Sequence, residues 1–229
     1  MRRGLAPVLE GARLCHVETR RSDLRFAFPE RFAARLTGAR VTRLGRRAKY
    51  LVAELDTGDA LIAHLGMSGR FTIETPDRSL RPGAYVHGGA PDPRHDHVLI
   101  VTETGTRITY NDPRRFGFMD LVSVDDLDTC AHFARMGPEP ASNAFSGAYL
   151  TEALKGRKTP IKSALLDQSV VAGLGNIYVC EALFRAGVSP RRLAASVAGK
   201  RAERLTPHIR DVIAEAIEAG GSSLKDFAA

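Results

Sequence analysis

Lysine is scarce in this chain, and one lysine stands alone. Six of the 33 basic residues are lysines, at 49, 155, 158, 162, 200 and 225. An ammonium can lose its proton and serve as acid, base or nucleophile, which a guanidinium practically cannot. Lys49 is therefore either a chemical group or a surface cation where arginine would have served equally well. A second candidate is Gly173-Leu174-Gly175-Asn176-Ile177-Tyr178, a glycine turn running into an apolar-periodic segment. Helix N-termini offer unpaired N–H groups and a positive dipole end, which suit a phosphate. Lys155, Arg157, Lys158 and Lys162 lie just upstream and favour a nucleic-acid backbone over an empty turn.

Two further stretches have the same two-sided character. His64-Leu65-Gly66-Met67-Ser68-Gly69 is a strand end followed by a glycine-bracketed loop. Glycines there let the backbone approach another molecule closely, and Met67 is either an exposed tip or a core filler. Asn111-Asp112-Pro113-Arg114-Arg115-Phe116-Gly117 is a tight turn carrying two cations and a ring. Proteins that distort DNA push apolar wedges between bases and read base edges with arginine; the plainer alternative is a turn with Phe116 in the core. His95-Asp96-His97 puts two histidines on one strand face, with His64 and His87 elsewhere. No cysteine pair or acidic–histidine helix motif completes a metal site, so the expectation is no metal. No serine–histidine–acid order, phosphate-binding Walker loop or dinucleotide fingerprint is present.

The elements that must position these residues divide the chain in two. Residues 12–122 read mainly as strands. Segments 50–55 and 60–65 flank Asp56-Thr57-Gly58-Asp59, a hairpin signal. A second hairpin joins 97–102 to 107–110 around Thr104-Gly105, and 116–122 reads as a further strand. The Pro/Gly/Arg-rich stretch 75–94 predicts a long exposed loop, and residues 2–9 predict an opening helix. Segments 148–154, 161–166, 176–184 and 200–219 are helical by pattern. In the last, Leu205, Ile209, Val212, Ile213, Ala216 and Ile217 share a face, Pro207 is expected to split the segment, and Gly220-Gly221 to stop it. The reading is an α+β chain: a β-rich domain over 1–124, a linker over 125–143 and a helical domain over 144–229.

The net charge of +7 favours a polyanionic partner. No long apolar run suggests a membrane span, and no apolar core follows Met1-Arg2-Arg3 as a secretory signal requires. Cys15, Cys130 and Cys180 are far apart and odd in number, so a reducing cytoplasm is the expected home.

In order along the chain, Arg46-Arg47-Ala48-Lys49-Tyr50-Leu51, the 64–69 loop, His95-Asp96-His97-Val98, the 112–117 turn and the 173–178 turn resemble the formamidopyrimidine-DNA glycosylase/endonuclease VIII family. The likeness runs from Arg2-Arg3-Gly4 to the 220–227 stretch. Met67, Arg114 and Phe116 together are similar to the formamidopyrimidine branch, which acts on oxidised purines. The resemblance implies a β-sandwich-like first domain and a helix–two-turn–helix second domain, with duplex DNA in the groove between. It implies that Met67, Arg114 and Phe116 fill the gap left by an extruded base, Arg114 facing the orphaned partner. His64, Lys49 and Asn176 would grip phosphates around the lesion, and His95 and Arg157 match further DNA-contacting positions. Lys49 also matches the proton donor in strand cleavage. The implied partner is double-stranded DNA with oxidised bases or abasic sites, met by a monomer with no membrane attachment.

Both ends depart from the family pattern. No residue here matches the N-terminal proline nucleophile or the glutamate beside it. No CxxC pair matches the zinc finger, so zinc is not expected in this chain. The expectation is a base-excision-repair glycosylase with associated strand-cleaving lyase activity, impaired for catalysis as written. The alternative is a module that binds damaged DNA without cutting it.

Overall fold

The computed structural model describes residues 1–80 and 91–219. Residues 81–90, including His87, and the expected Gly220-Gly221 stop, with the 220–227 likeness, lie outside them. The chain forms two compact units, the first spanning Met1–Cys130 and the second beginning at Ala131. The division falls inside the 125–143 stretch.

The first unit holds two antiparallel sheets and two short helices. Helix α1 (Arg2–Leu9) leads into β1 (Leu14–Thr19), α2 (Phe32–Leu36), β2 (Val41–Arg47), β3 (Tyr50–Leu55), β4 (Asp59–His64), β5 (Arg70–Thr75), β6 (Arg78–Leu80), β7 (Asp96–Thr102), β8 (Arg107–Asn111) and β9 (Phe118–Ser123). One sheet runs β1-β7-β8-β5-β6 and the other β2-β3-β4-β9. Alternation builds the space between them. In β3, Leu51, Ala53 and Leu55 join a core shared with Ile73, Ile100 and Ile108 of the facing sheet, because successive strand side chains point to opposite faces. Leu5 and Leu9 of α1 are buried in the same core. The β3–β4 turn is set by Gly58 at φ +84°, whose N–H donates to the Leu55 carbonyl at 3.1 Å, the glycine-dependent geometry of a short hairpin. The expected 75–94 loop is partly strand: β6 folds back on β5, with Thr75 opposite Arg78, and 93–95 form a 3-10 turn.

The second unit contains α3 (Gly147–Leu154), α4 (Ile161–Leu166), α5 (Asn176–Arg185), a 3-10 turn over Ala194–Val197 and α6 (Lys200–Glu218). Ser146 caps α3, its hydroxyl accepting from the Tyr149 N–H at 3.1 Å. α5 stops in a glycine cap: the Gly187 N–H donates to Phe184 and the Val188 N–H to Leu183, with Gly187 at φ +60°. Leu150, Leu154, Ile161, Leu165, Leu183 and Ile209 are fully buried together. An α+β fold with a sandwich-like sheet domain and a helix–two-turn–helix domain follows from these two cores. No helix among the described residues is long and apolar enough to cross a membrane.

Pro207 does not split α6, which runs unbroken for 19 residues. Proline forfeits the bond to the Glu203 carbonyl, but Leu205, Ile209 and Val212 bury the same face on either side and hold the backbone helical. Ile217, expected on that face, is instead 45% exposed. Pro207→Ala restores the missing donor and is expected to raise the thermal midpoint by about 2–4 °C for roughly 1 kcal/mol. A lower midpoint by calorimetry would mean that the proline relieves strain there.

Candidate nucleic-acid interface

Strand β8 ends at Asn111, and this side chain and that of the following Asp112 have no access to solvent. Buried polar groups must find partners, and these two find theirs on three separate loops. The Asn111 amide donates to the Asp92 carbonyl at 2.8 Å and to the Asp96 carboxylate at 2.8 Å. Asp112 accepts from the Ser68 hydroxyl, from the Gly117 N–H at 2.9 Å and from the Tyr110 hydroxyl at 3.2 Å. Its own N–H donates to the His95 carbonyl at 3.0 Å, and its carbonyl lies 2.9 Å from His97 Nε2. Burial, with the Asp112 carboxylate beside it, pushes the Tyr110 phenol far above its ordinary range.

The expected wedge residues sit on two of these loops. Met67 is 75% exposed and Phe116 44% exposed, an unusual state for large apolar side chains on a rigid frame. Arg114 lies over the Phe116 ring, 4.5 Å from its centroid, within cation–π range. The two loops touch through backbone. A Cβ on Gly66 would stand 2.5 Å from the Phe116 carbonyl carbon, and one on Gly117 would collide with the Tyr110 hydroxyl. Gly66 also sits at φ +62° and Arg115 at φ +53°, a region non-glycine residues seldom occupy. The Arg114 N–H donates to the Ser68 hydroxyl at 3.3 Å, so Ser68 links the Met67 loop to both Asp112 and Arg114.

Lys49 occupies the two-residue β2–β3 turn, where Arg47 pairs with Tyr50 and Ala48 takes φ +51°. That backbone is costly for alanine, and it fixes the direction of the next residue. The Lys49 side chain reaches solvent, yet surrounding protein partly desolvates the ammonium and lowers its pKa. His64 ends β4 opposite Tyr50, its ring stacked on Phe118 at 5.5 Å. The Gly66 N–H donates to His64 Nδ1 at 3.1 Å, so the neutral ring carries its proton on Nε2.

His95 and His97 do not share a strand face. His95 ends the 3-10 turn, and the register shifts between Asp96 and Val98, which turns His97 inward to 3% exposure. His97 is a satisfied core residue, while His95 stays half-buried at the surface. Among the described residues no group of three His, Cys, Asp or Glu side chains is placed to hold a metal ion.

In the second unit Asn176 is the first residue of α5, exposed, after Gly175 in extended conformation. The turn before it is held by Gln168. The Gln168 side chain accepts from the Gly173 N–H at 2.9 Å and donates to the Leu166 and Leu174 carbonyls at 2.9 and 3.1 Å. Gly173 takes φ +92°. Arg157, in the α3–α4 connection, donates to the Asp167 carboxylate at 3.0 Å and to the Ala153 carbonyl at 2.9 Å. Ser169 hydrogen bonds, with Arg157 beside them, lower the Asp167 pKa.

Residues 1–119 match the formamidopyrimidine-DNA glycosylase N-terminal domain, and residues 136–228 match the formamidopyrimidine-DNA glycosylase H2TH domain. The chain belongs to the formamidopyrimidine-DNA glycosylase family. A formamidopyrimidine-DNA glycosylase of a Caulobacter species is 57% identical over 229 residues, covering 100% of this chain and 80% of that protein. Another, from Ruegeria pomeroyi, is 57% identical over 227 residues, covering 99% and 79%. Among solved structures, the Lactococcus lactis Fpg in complex with DNA containing an abasic site superposes at TM-score 0.83 with 31% identity, covering 96% of this chain and 77% of that one. The MutM (Fpg) protein of Thermus thermophilus superposes at 0.81 with 38% identity, covering 96% and 74%.

Within this member of the formamidopyrimidine-DNA glycosylase family, sequence reasoning passed over the residues that do the holding. Ser68, Asn111 and Asp112 were seen only as parts of motifs, and Gln168 not at all. A polar residue flanked by turn-forming glycine or proline was the available signal, but burial is not visible in a string. Ser68→Ala should lower stability by about 1–3 kcal/mol, because it strips a donor from a buried carboxylate. Urea unfolding checks this, and a loss below about 0.5 kcal/mol would show that Ser68 does not close the network. Carbon-13 reductive methylation should place the Lys49 titration below the 10.5 of a free side chain. The folded pKa is the lower one, so the contribution of Lys49 to stability rises as pH climbs from it towards 10.5. A titration at or above 10.5 would refute the desolvation.

Proposed function

We propose that this chain is a DNA repair glycosylase of base excision repair that acts on double-stranded DNA as a monomer. It excises oxidised purines such as 8-oxoguanine and formamidopyrimidines, and cleaves the resulting abasic strand by β- and δ-elimination. One observation carries the reading: two exposed apolar side chains, Met67 and Phe116, with Arg114 stacked on Phe116, ride on loops locked to a buried carboxylate. A base swung out of the stack leaves a gap, and unstacking costs a few kcal/mol. Met67 and Phe116 would occupy the gap, and Arg114 would address the base left opposite. A rigid mount matters, because a wedge that yields cannot keep the duplex open.

His64, His95, Arg157 and Asn176 would bind phosphates. The proton on His64 Nε2 and the N–H groups opening α5 suit that task. Lys49 would grip a phosphate and supply the proton in strand cleavage, and a desolvated ammonium gives up its proton more readily than a solvated one. In the family's reaction an amine attacks C1′ and the base departs, a role that the resemblance assigns to no residue of this sequence. The resulting iminium acidifies the neighbouring C–H, and the phosphates leave in turn. This chemistry calls for no cofactor.

The test incubates the purified chain with an 8-oxoguanine duplex and borohydride. A trapped covalent adduct supports the glycosylase–lyase, overturns the expectation of impaired catalysis and points to another amine as nucleophile, Lys49 first. Tight binding of an abasic duplex with no adduct would make the chain a damage-binding module instead. Asn176→Ala should weaken binding irrespective of sequence, whereas Arg114→Ala should change the preference for the opposing base. Equal effects of both across all opposing bases would contradict these roles.

A further inference from the structure

The segment between β1 and α2 has no part in the reading above. It closes on itself: Asp23 bridges to Ala27, the Leu24 N–H donates to Phe26 at 2.9 Å, and the Phe28 N–H donates to Ser22 at 3.1 Å. Leu24 is buried beneath it. The Arg25 N–H donates to the Gly117 carbonyl at 3.0 Å, which fastens this loop to the end of the turn that carries Arg114 and Phe116.

Its tip presents Arg25 and Phe26. Phe26 is 55% exposed, yet it is fixed in an edge-to-face contact with Phe118, ring centroids 5.4 Å apart, and Phe118 in turn stacks on His64. The Arg25 guanidinium lies 5.4 Å from the Phe26 centroid. Arg20, Arg35, Arg40 and Arg43 are each paired with a carboxylate. Among the described residues no carboxylate is within ion-pair distance of Arg25. The pairing of an exposed ring with an uncompensated cation thus occurs twice around Gly117, once as Phe116 with Arg114 and once as Phe26 with Arg25.

We propose that Arg25 and Phe26 form a second nucleotide-binding element of the DNA site, Phe26 stacking on a base or deoxyribose and Arg25 pairing with the adjoining phosphate. The proposal rests on the DNA-binding reading above. Its physical basis is the usual one for unpaired strand: aromatic faces take bases of any sequence, and cations follow the backbone. A solvated phenylalanine contributes little to the fold, so its fixed exposure beside a cation is best explained by an aromatic partner that arrives with a phosphate.

The chain contains no tryptophan, so Phe26→Trp introduces a single indole at the tip. Titration with a labelled duplex carrying a tetrahydrofuran abasic site should quench this indole in step with the rise in label anisotropy. Phe26→Ala should weaken binding about tenfold with an unchanged salt slope. Arg25→Ala should reduce the slope of log K against log salt by about 0.9, one phosphate contact. Circular dichroism confirms that the variants fold. Full binding by anisotropy with no indole response, or wild-type affinity and slope in both alanine variants, overturns the proposal and leaves the DNA-binding reading standing. If the wild-type chain gives no anisotropy change with the duplex, both fall.

Discussion

A carboxylate cut off from water has to be met by donors, and the donors that meet Asp112 come from its own turn and from a loop far away in sequence. Ser68 lies 44 residues away, and Gly117 and Tyr110 approach from either side. An unpaired buried carboxylate costs several kcal/mol, so the loops are not at liberty to separate. That penalty for parting, more than any attraction between loops, fixes where Met67, Arg114 and Phe116 stand. Asn111 extends the same constraint to the 92–96 segment and so to His95.

The glycines are the steric counterpart of that electrostatic constraint. Gly66, Gly69 and Gly117 pack where any Cβ would meet backbone or the Tyr110 hydroxyl. They contribute no binding group, but they let two exposed turns sit against each other with nothing between. A polar hub and close-packed glycines together make a mount stiff enough to hold apolar side chains in water. The second unit uses a smaller version of the device: Gln168 ties the last carbonyl of α4 to two backbone groups of the turn that precedes α5, and Asn176 follows from it.

How much of this was legible beforehand varies with the physics of each part. The β3–β4 hairpin was readable because local rules govern it: apolar strands, a glycine in the left-handed region, a turn of allowed length. The expected break at Pro207 failed because proline propensity is a local cost, and the burial of Leu205, Ile209 and Val212 outweighs it. The pairing of His95 with His97 failed because a register shift in β7 reverses one side chain, and a bulge leaves no mark in residue type. Phe26 attracted no notice at all, since an isolated phenylalanine reads as core until its exposure is seen.

The amino-acid string by itself determined the fold class and the family, because those rest on composition, periodicity and ordered motifs. Tertiary structure alone decided which residues are buried, which face solvent and which are tied together. Asp112 became the hub, His97 a core residue and Phe26 a surface ring. Those outcomes depend on partners dozens of residues distant, and desolvation acts on a position in space whatever its place in the sequence.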